Sequence, residues 1–261
     1  MIRDPVERVL TLYDTARRQA GAEALEAEIT LAALPWWLRV GSPLRPALDH
    51  AIAQGRLGQG RIDIVSGDAA ACAAAIFAAA AQLERRAYSR VTVVTADTAI
   101  APVVLDMSAA SGFGHTRKTR FVPYPGEAAA AIVLSAPDRT AAPLLELAEM
   151  PESLRPLAPD RGLMGFVSAG LLQGFLPPDR GFTLLADLDG ERHRAEEFGV
   201  VRSRLAEPDK VIVPALATGY IGTATLAVQI GAALAAPPES AVPHLCWTMA
   251  RSGMRIAARI T

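Results

Sequence analysis

The sequence has no excess of charge of either sign, and it has few cysteines. Each of these two features excludes a class of protein. Its 261 residues carry 26 lysines and arginines against 27 aspartates and glutamates, with no basic stripe among aromatic residues. This balance argues against nucleic acid or an anionic membrane as a partner. The two cysteines, Cys72 and Cys246, provide neither a disulfide framework nor the ligand spacing of a zinc site, and we expect no bound metal.

Long hydrophobic runs are also missing. The longest, AAACAAAIFAAAA at 69–81, is too short to span a bilayer and predicts a buried core helix. The first ten residues, MIRDPVERVL, place acids among the bases and lack an apolar core, which argues against a secretory signal. We therefore expect a cytoplasmic globular protein with no membrane partner.

An internal near-repeat organises the chain. The first copy predicts a strand, a helix and two strands at 61–65, 67–86, 90–97 and 126–136, and the second copy predicts the same series at 210–215, 219–235, 244–250 and 253–261. The interval from the glycine that opens each predicted helix to the next strand is nearly equal, with 25 residues from Gly67 to Thr92 and 26 from Gly219 to Leu245. The repeat predicts two equivalent halves, 1–150 and 151–261, in one globular unit.

The predicted repeat helices define the fold class. Both are apolar on every side, so each must be covered all round, and their small residues let neighbouring backbones approach closely. Amphipathic helices predicted at 4–19, 42–55 and 190–205 would lie outside. Two mixed sheets around two buried helices give an α/β fold with five layers, α/β/α/β/α. The GERHRAEE run at 190–197 predicts a solvated helix face with i,i+4 ion pairs.

Four segments resemble one known family. FVPYPGEAAAAIVLS (121–135) is similar to the Gly-Glu strand of the β-ketoacyl synthases, and TGYIGTATLAVQIGAALA (218–235) is similar to their Gly-His helix. DLDGERHRAEEFG (187–199) resembles an Asp-x-Asn-Gly-Glu-Arg stretch of synthase-like proteins, and SGDAAACAAAI (66–76) lies where their nucleophile elbow would be. The resemblance covers residues 60 to 261 and implies the duplicated thiolase fold, in a chain that is short for the family.

The resemblance implies a catalytic cysteine and two histidines, which capture an acyl group and decarboxylate a malonyl unit. Tyr220 occupies the place of the helix histidine, and a phenol, whose reference pKa lies near ~10, cannot replace neutral imidazole near pH 7. LLADLDGER (184–192) contains no His-Gly-Thr-Gly segment, and Ala215 stands where a lysine is usual. Two of the three catalytic side chains are therefore missing, as is the supporting lysine.

Cys72 is the candidate nucleophile. The local Asp-x-Ala-Cys pattern selects it, whereas alignment on the end of the helix selects Ala70 or Ala71. A cysteine at the start of a buried helix could be an activated thiolate. The alternative, which we favour, is a small hydrophobic residue in an alanine-rich helix. Asp68 is predicted to cap this helix rather than to act as an acid or base.

The other candidate site residues would bind a ligand. Thr218, Gly219 and Tyr220 precede a predicted helix whose first turn presents free backbone N–H groups and a positive dipole end. Glu127 either supports the site through buried polar contacts or only satisfies backbone groups. His115 lies in a Gly- and Arg-rich loop and would contact a phosphopantetheine phosphate, with an ordinary solvated loop as the alternative. We expect no resident cofactor, and an acyl thioester on phosphopantetheine, from CoA or an acyl carrier protein, as the ligand.

Three functions remain open from the sequence. The first is a degenerate ketosynthase-like protein that cannot condense and that either pairs as a heterodimer with an active synthase, like a chain-length factor, or forms a homodimer. The second is a Cys72-dependent acyltransferase or thioesterase that needs no histidine pair. The third is a binding module for acyl-CoA or acyl carrier protein. Fold alone does not choose among them.

Overall fold

The computed structural model describes most of the chain and divides it into two compact units. The described residues are 4–58, 60–100, 105–106, 124–137, 143–151, 161–176, 181–236, 242–250 and 252–261. Unit 1 comprises the described residues of Met1–Gly114, Pro125–Arg139 and Tyr220–Val228, and unit 2 comprises those of His115–Tyr124, Thr140–Gly219 and Gln229–Thr261. The predicted boundary between residues 150 and 151 stays a prediction.

Helices and strands alternate along most of the chain. The helices are α1 Pro5–Gln19, α2 Ala22–Leu25, α3 Arg45–Ala53, α4 Ala69–Glu84, α5 Arg161–Gln173, α6 Arg192–Arg202, α7 Ala215–Thr218 and α8 Thr225–Leu234. The strands are β1 Ile29–Pro35, β2 Arg61–Gly67, β3 Arg90–Thr98, β4 Glu127–Ser135, β5 Leu145–Glu149, β6 Thr183–Ala186, β7 Lys210–Ile212, β8 His244–Met249 and β9 Arg255–Ile260. No helix among the described residues is long and apolar enough to cross a membrane.

Unit 1 contains a four-stranded sheet in the order β2-β1-β3-β4. The first three strands are parallel, and β4 runs antiparallel to β3. All seven residues of β1 are buried, as expected for a central parallel strand that is covered on both faces. One core cluster joins α1 to this sheet through Val9, Tyr13, Leu34 and Val94, while α4 packs against β1, β2 and β3.

Unit 2 contains a five-stranded sheet in the order β5-β9-β8-β6-β7. Here β7, β6 and β8 are parallel, and β9 is antiparallel to β8. Apart from the additional edge strand β5, this is the strand order of unit 1. The predicted repeat is therefore visible as a repeated topology, with the strands paired between the two copies as the sequence predicted.

The local sequence explains the best-formed elements. Asp4 caps α1 by accepting a hydrogen bond from the Val6 N–H at 2.8 Å, and Pro5 occupies the first helical position, where its missing N–H costs nothing. Asp68 caps α4 by accepting from the Ala70 N–H at 3.0 Å, which confirms the predicted cap. The expectation that α4 is covered all round is wrong for this chain, because Ala74 is exposed.

The second repeat helix differs most from its prediction. We expected one helix over 219–235 with Tyr220 in its first turn. Instead, Thr218 ends the short helix α7, Tyr220 forms an isolated parallel bridge with Pro125, and a 3-10 turn over Gly222–Ala224 precedes α8. Tyr220 therefore does not lie at the N-terminus of the helix, and the dipole argument for its role is wrong.

Candidate functional site

In unit 1, three strand ends converge on the segment 220–224. The Thr223 hydroxyl donates to the carbonyl of Gly67, the last residue of β2, at 2.9 Å. The Thr223 N–H donates to the carboxylate of Asp97, near the end of β3, at 2.9 Å. The N–H of Gly126, just before β4, donates to the Tyr220 carbonyl at 3.0 Å. Because β4 is antiparallel to β3, β4 starts at the end of the sheet where β2 and β3 finish. We call this end of the sheet the candidate edge of unit 1 and treat it as the candidate site.

Gly222 allows the segment to approach β3. Its φ of +47° belongs to the left-handed region that favours glycine. A Cβ at this position would also overlap the Asp97 Oδ2 atom and would lie 3.4 Å from the Tyr220 hydroxyl oxygen. The Tyr220 side chain thus folds back beside Gly222, and its ring is only partly exposed.

Cys72 lies one turn inside α4 and has no exposed surface. Burial raises the pKa of the Cys72 thiol to about 12, and among the described residues the only opposing influence is a backbone hydrogen bond with Ala227. The neutral thiol is therefore strongly favoured near neutral pH, whereas a nucleophile needs the thiolate. At the alternative positions, Ala70 and Ala71, a methyl group stands in place of a nucleophile.

Glu127 begins β4 and contacts two side chains of unit 1. Its carboxylate pairs with the Arg8 guanidinium of α1 and accepts a hydrogen bond from the Thr98 hydroxyl at 3.2 Å. The side chains of Arg8 and Glu127 are each about one-quarter exposed. The ion pair joins α1 to the strand that follows Gly126, so Glu127 makes side-chain contacts close to the converging strand ends.

Thr218, Gly219 and His115 do not join the unit 1 contacts. The Thr218 hydroxyl lies within hydrogen-bond distance of the carbonyls of Pro214, at 3.2 Å, and Gly219, at 3.1 Å, so it is satisfied locally at the end of α7. Gly219 has a φ of +70° and ends that helix. His115 lies outside the described residues.

Unit 2 places a buried charged cluster directly after β6, where the family resemblance called for a histidine segment. The Arg194 guanidinium pairs with Asp187, with Glu191 at 3.2 Å and with Asp189 at 3.4 Å. Asp187 also accepts a hydrogen bond from the Met249 N–H at 3.0 Å. A buried ion-pair cluster, rather than an imidazole, therefore follows this strand.

A second buried pair extends the cluster. Arg255 forms two 2.7 Å hydrogen bonds with the carboxylate of Glu197, which also accepts from the Ser168 hydroxyl at 2.6 Å. The prediction that 190–197 is a solvated helix face is correct for the exposed Arg192–Glu196 pair and wrong for the buried residues Glu191, Arg194 and Glu197. Residues 194, 197 and 201 lie on one face of a helix, and residue 201 is a valine. This spacing is the signal in the sequence that could have located the buried side of α6.

His193 lies beside this cluster and is not part of its buried centre. Its side chain is 40% exposed and lies 3.3 Å from the Glu191 carboxylate. Burial lowers the pKa of His193, with Glu191 acting in the opposite direction and Arg194 in the same direction. Its ring belongs to the surface of the charged cluster in unit 2.

Comparisons with known proteins identify the fold. The sequence matches no protein-family model, and no curated protein matches it significantly. A 3-oxoacyl-(acyl carrier protein) synthase III from Xanthomonas oryzae pv. oryzae matches with a TM-score of 0.66 at 15% identity, over 99% of this chain and 82% of that one. A type III pentaketide synthase from Neurospora crassa matches with a TM-score of 0.60 at 17% identity, over 99% and 82%. A ketosynthase from module 6 of the Bacillus subtilis 168 bacillaene synthase matches with a TM-score of 0.65 at 13% identity, over 98% and 57%. At these identities the likeness shows the fold, and the predicted thiolase-like α/β class is confirmed.

Proposed function

We propose that this chain, which adopts the thiolase-like fold of the ketosynthases, is a non-condensing ketosynthase-like subunit of fatty-acid or polyketide-type biosynthesis. It pairs with an active ketosynthase and does not itself form an acyl-enzyme. The observation that carries the proposal is the environment of Cys72, which is fully buried and has a raised pKa. Tyr220, in the place of a family histidine, offers no imidazole to activate it.

The proposed ligand is an acyl thioester on phosphopantetheine, presented by CoA or by an acyl carrier protein. In this proposal the ligand binds at the candidate edge of unit 1, where the partly exposed side chains of Tyr220 and Glu127 would contact it. In this proposal Tyr220 fills space that a catalytic histidine occupies in active synthases. His115 retains its proposed role as a contact for the phosphate.

The surface around β2 supports the proposed partnership. β2 has a strand neighbour on one side only within the described sheet, so its other edge presents backbone groups that a partner strand can pair with. The neighbouring helix α4 adds a half-exposed stripe of small and aromatic side chains at helical spacing, namely Ala74, Phe77, Ala78 and Ala81. An interface on this surface would cover the side of α4 that the chain itself leaves exposed.

Intact-protein mass measurement tests the absence of an acyl-enzyme. The protein and its Cys72→Ala variant are mixed with malonyl-CoA and with acyl-CoA thioesters of several chain lengths, and release of CO2 is followed in parallel. We expect no mass gain and no decarboxylation in either protein. A mass gain that the Cys72→Ala variant loses would overturn the proposal and establish the alternative, a Cys72-dependent acyltransferase or thioesterase.

Native mass spectrometry tests the partnership. The purified chain is measured alone and after mixing with an active ketosynthase from the same cell, and each is compared with a Phe77→Glu variant. We expect a one-to-one complex that the charged substitution on α4 weakens. A homodimer that persists unchanged beside every such ketosynthase would refute the heterodimer. Ligand binding without any partner or turnover would favour the third function, an acyl-binding module.

A further inference from the structure

Unit 2 contains an apolar groove that none of the sequence motifs identified. Its volume is about 600 Å³, within the range of about 300–1,000 Å³ that is usual for ligand pockets. The groove is open to solvent and lies between the loop after β6, the first half of α6 and the segment after β7. Its apolar wall consists of Leu188, Gly190, Ala195, Phe198, Val213 and Leu216.

The topology of the second sheet creates this groove. β6 and β7 are parallel neighbours, so the segments that follow them leave the same sheet edge. The segment after β6 leads to α6, where the Phe198 ring stacks on Trp247 of β8 with 6.0 Å between centroids. The segment after β7 leads to Gln229, whose Oε1 accepts a hydrogen bond from the Thr248 hydroxyl at 2.6 Å. Trp247 and Thr248 are consecutive residues of β8, so their side chains point to opposite faces of the sheet. The connection after β6 therefore leads to one face and the connection after β7 leads to the other. Connections that diverge in this way leave a crevice, as at the ligand sites of open α/β sheets.

The wall of the groove selects an aliphatic ligand. Its side chains are aliphatic or aromatic, and Leu216, with 87% of its surface exposed, is the most exposed large apolar residue described in the chain. Apolar surface in water is unfavourable, and a hydrocarbon tail laid along this wall would remove it from water. The wall presents no side-chain donor or acceptor that would orient a polar ring.

The rim of the groove selects the charge of the head group. Arg192 lies at the start of α6, and its side chain is 70% exposed. Its partner is Glu196, at 2.6 Å, in an exposed i,i+4 pair of the kind that contributes little. The other acid of the rim, Glu191, is buried against Arg194. Arg192 can therefore turn to a ligand anion at small cost, and the positive dipole end of α6 lies beside it.

We propose that this groove binds an amphiphile with a single unbranched aliphatic tail and an anionic head. The tail lies between Leu188, Phe198 and Leu216, and a carboxylate or phosphate head pairs with Arg192. None of the residues that line the groove takes part in the contacts that define the candidate site of unit 1. Binding in the groove requires neither a synthase partner nor Cys72, so it goes beyond the proposed function and can fail independently of it.

Isothermal titration of the purified protein tests the proposal. Octanoate, decanoate and dodecanoate are added below their micelle concentrations, beside dodecyl phosphate and dodecyltrimethylammonium. We expect one site per chain and a gain in affinity of about three- to fourfold for each added methylene. The carboxylate should bind about tenfold more tightly than the ammonium compound of equal tail length, and comparison with dodecyl phosphate shows which anionic head the site prefers.

Matched variants locate the binding site. Ala195→Trp fills the groove from an exposed helix position and should weaken dodecanoate binding at least tenfold, whereas Ala217→Trp, exposed on α7 outside the wall, should not change it. Arg192→Gln should weaken carboxylate binding several-fold and leave octyl glucoside binding unchanged, while Glu196→Gln should strengthen carboxylate binding. Absence of binding, several weak sites that Ala195→Trp leaves intact, or equal affinity for cationic and anionic heads would each overturn the proposal.

Discussion

The carboxylate of Asp97 accepts a hydrogen bond from the backbone N–H of Thr223, across 126 positions of sequence, at 2.9 Å. Both residues are buried, and the contact joins the end of β3 to the 3-10 turn that precedes α8. Thr223 also donates to the Gly67 carbonyl, so the turn is fixed to two neighbouring regions of unit 1. The position of Tyr220, two residues before the turn, follows from these bonds.

Replacement of Asp97 should destabilise the fold. In Asp97→Ala the buried Thr223 N–H loses its acceptor, and we expect the free energy of unfolding to fall by about 1–3 kcal/mol. Asp97→Asn keeps an acceptor oxygen and should lose less. Chemical denaturation followed by circular dichroism measures both, with Asp63→Ala on β2, where the side chain is 38% exposed, as the control. An Asp97→Ala variant as stable as the wild type would show that the turn is held in place by other contacts.

Gly222→Ala should be more harmful than an alanine at another left-handed glycine. Both Gly222 and Gly55, the glycine after α3, have positive φ, but of the two only Gly222 would place an added Cβ against another group, the Asp97 carboxylate. We expect Gly55→Ala to cost about 1 kcal/mol through backbone strain alone and Gly222→Ala to cost about 1–3 kcal/mol more. Thermal unfolding of the two variants measures the difference. Equal losses would indicate that the Asp97 side chain moves aside freely.

Cys72 should be inert in the native protein. Its thiol is buried and its pKa is raised to about 12, so neither access nor ionisation favours alkylation near pH 8. In a Cys246→Ala background, where Cys72 is the only thiol, we expect no mass gain from iodoacetamide within hours and a single alkylation in guanidinium chloride. Rapid native alkylation would contradict the burial of Cys72 and would favour the acyltransferase alternative.

Asp189 should make the stability of the protein depend on pH. Burial, helped by the nearby Asp187 and Glu191 carboxylates and opposed by Arg194, raises the pKa of Asp189 to about 6. An unfolded aspartate ionises near ~3.9, so the unfolded state loses this proton first. The contribution of Asp189 to the free energy of unfolding is therefore highest below about pH 4, falls as the pH rises to about 6 and is constant above that.

Asp189→Asn isolates this effect. Because asparagine does not ionise, the stability of the variant relative to the wild type should rise by about 2–3 kcal/mol between pH 4 and pH 7. Urea denaturation at several pH values measures the difference, and Asp14→Asn on the exposed side of α1 serves as the control. A difference that does not change with pH would show that the pKa of Asp189 in the folded protein equals that of an unfolded aspartate, and a difference that changes in the opposite direction would show that Arg194 lowers it further.

The predicted elements that agree best with the structure are those with a strong local signal. The apolar pattern of 90–97, the alanine run of 69–81 and the cap at Asp68 each depend on residues near in sequence, and β3 and α4 form there. The nearly equal intervals of the repeat predicted two similar halves, and the two sheets share a strand order apart from the edge strand β5. β1 was not predicted, because all seven of its residues are buried and a run that is buried on both faces has no alternating period.

The candidate site was less accessible to sequence reasoning. The sequence pointed to Glu127, Tyr220 and Cys72 as candidate site residues, but it did not predict which residues they contact. Glu127 pairs with Arg8, 119 positions away, and a buried arginine at position 194 looked like part of a solvated run. Charge patterning reports which residues can pair, whereas packing decides which pairs are buried.

By itself the sequence determined the α/β class and the repeat, because composition and periodicity are local properties. Only the tertiary structure decided that Tyr220 lies before the 3-10 turn and not on a helix, that Cys72 is closed off, and that an apolar groove lies beside Leu216. These features arise from hydrogen bonds and burial between residues distant in sequence. The free energies of these hydrogen bonds and of this burial depend on which surfaces meet in the folded chain, and a local sequence pattern does not contain that information.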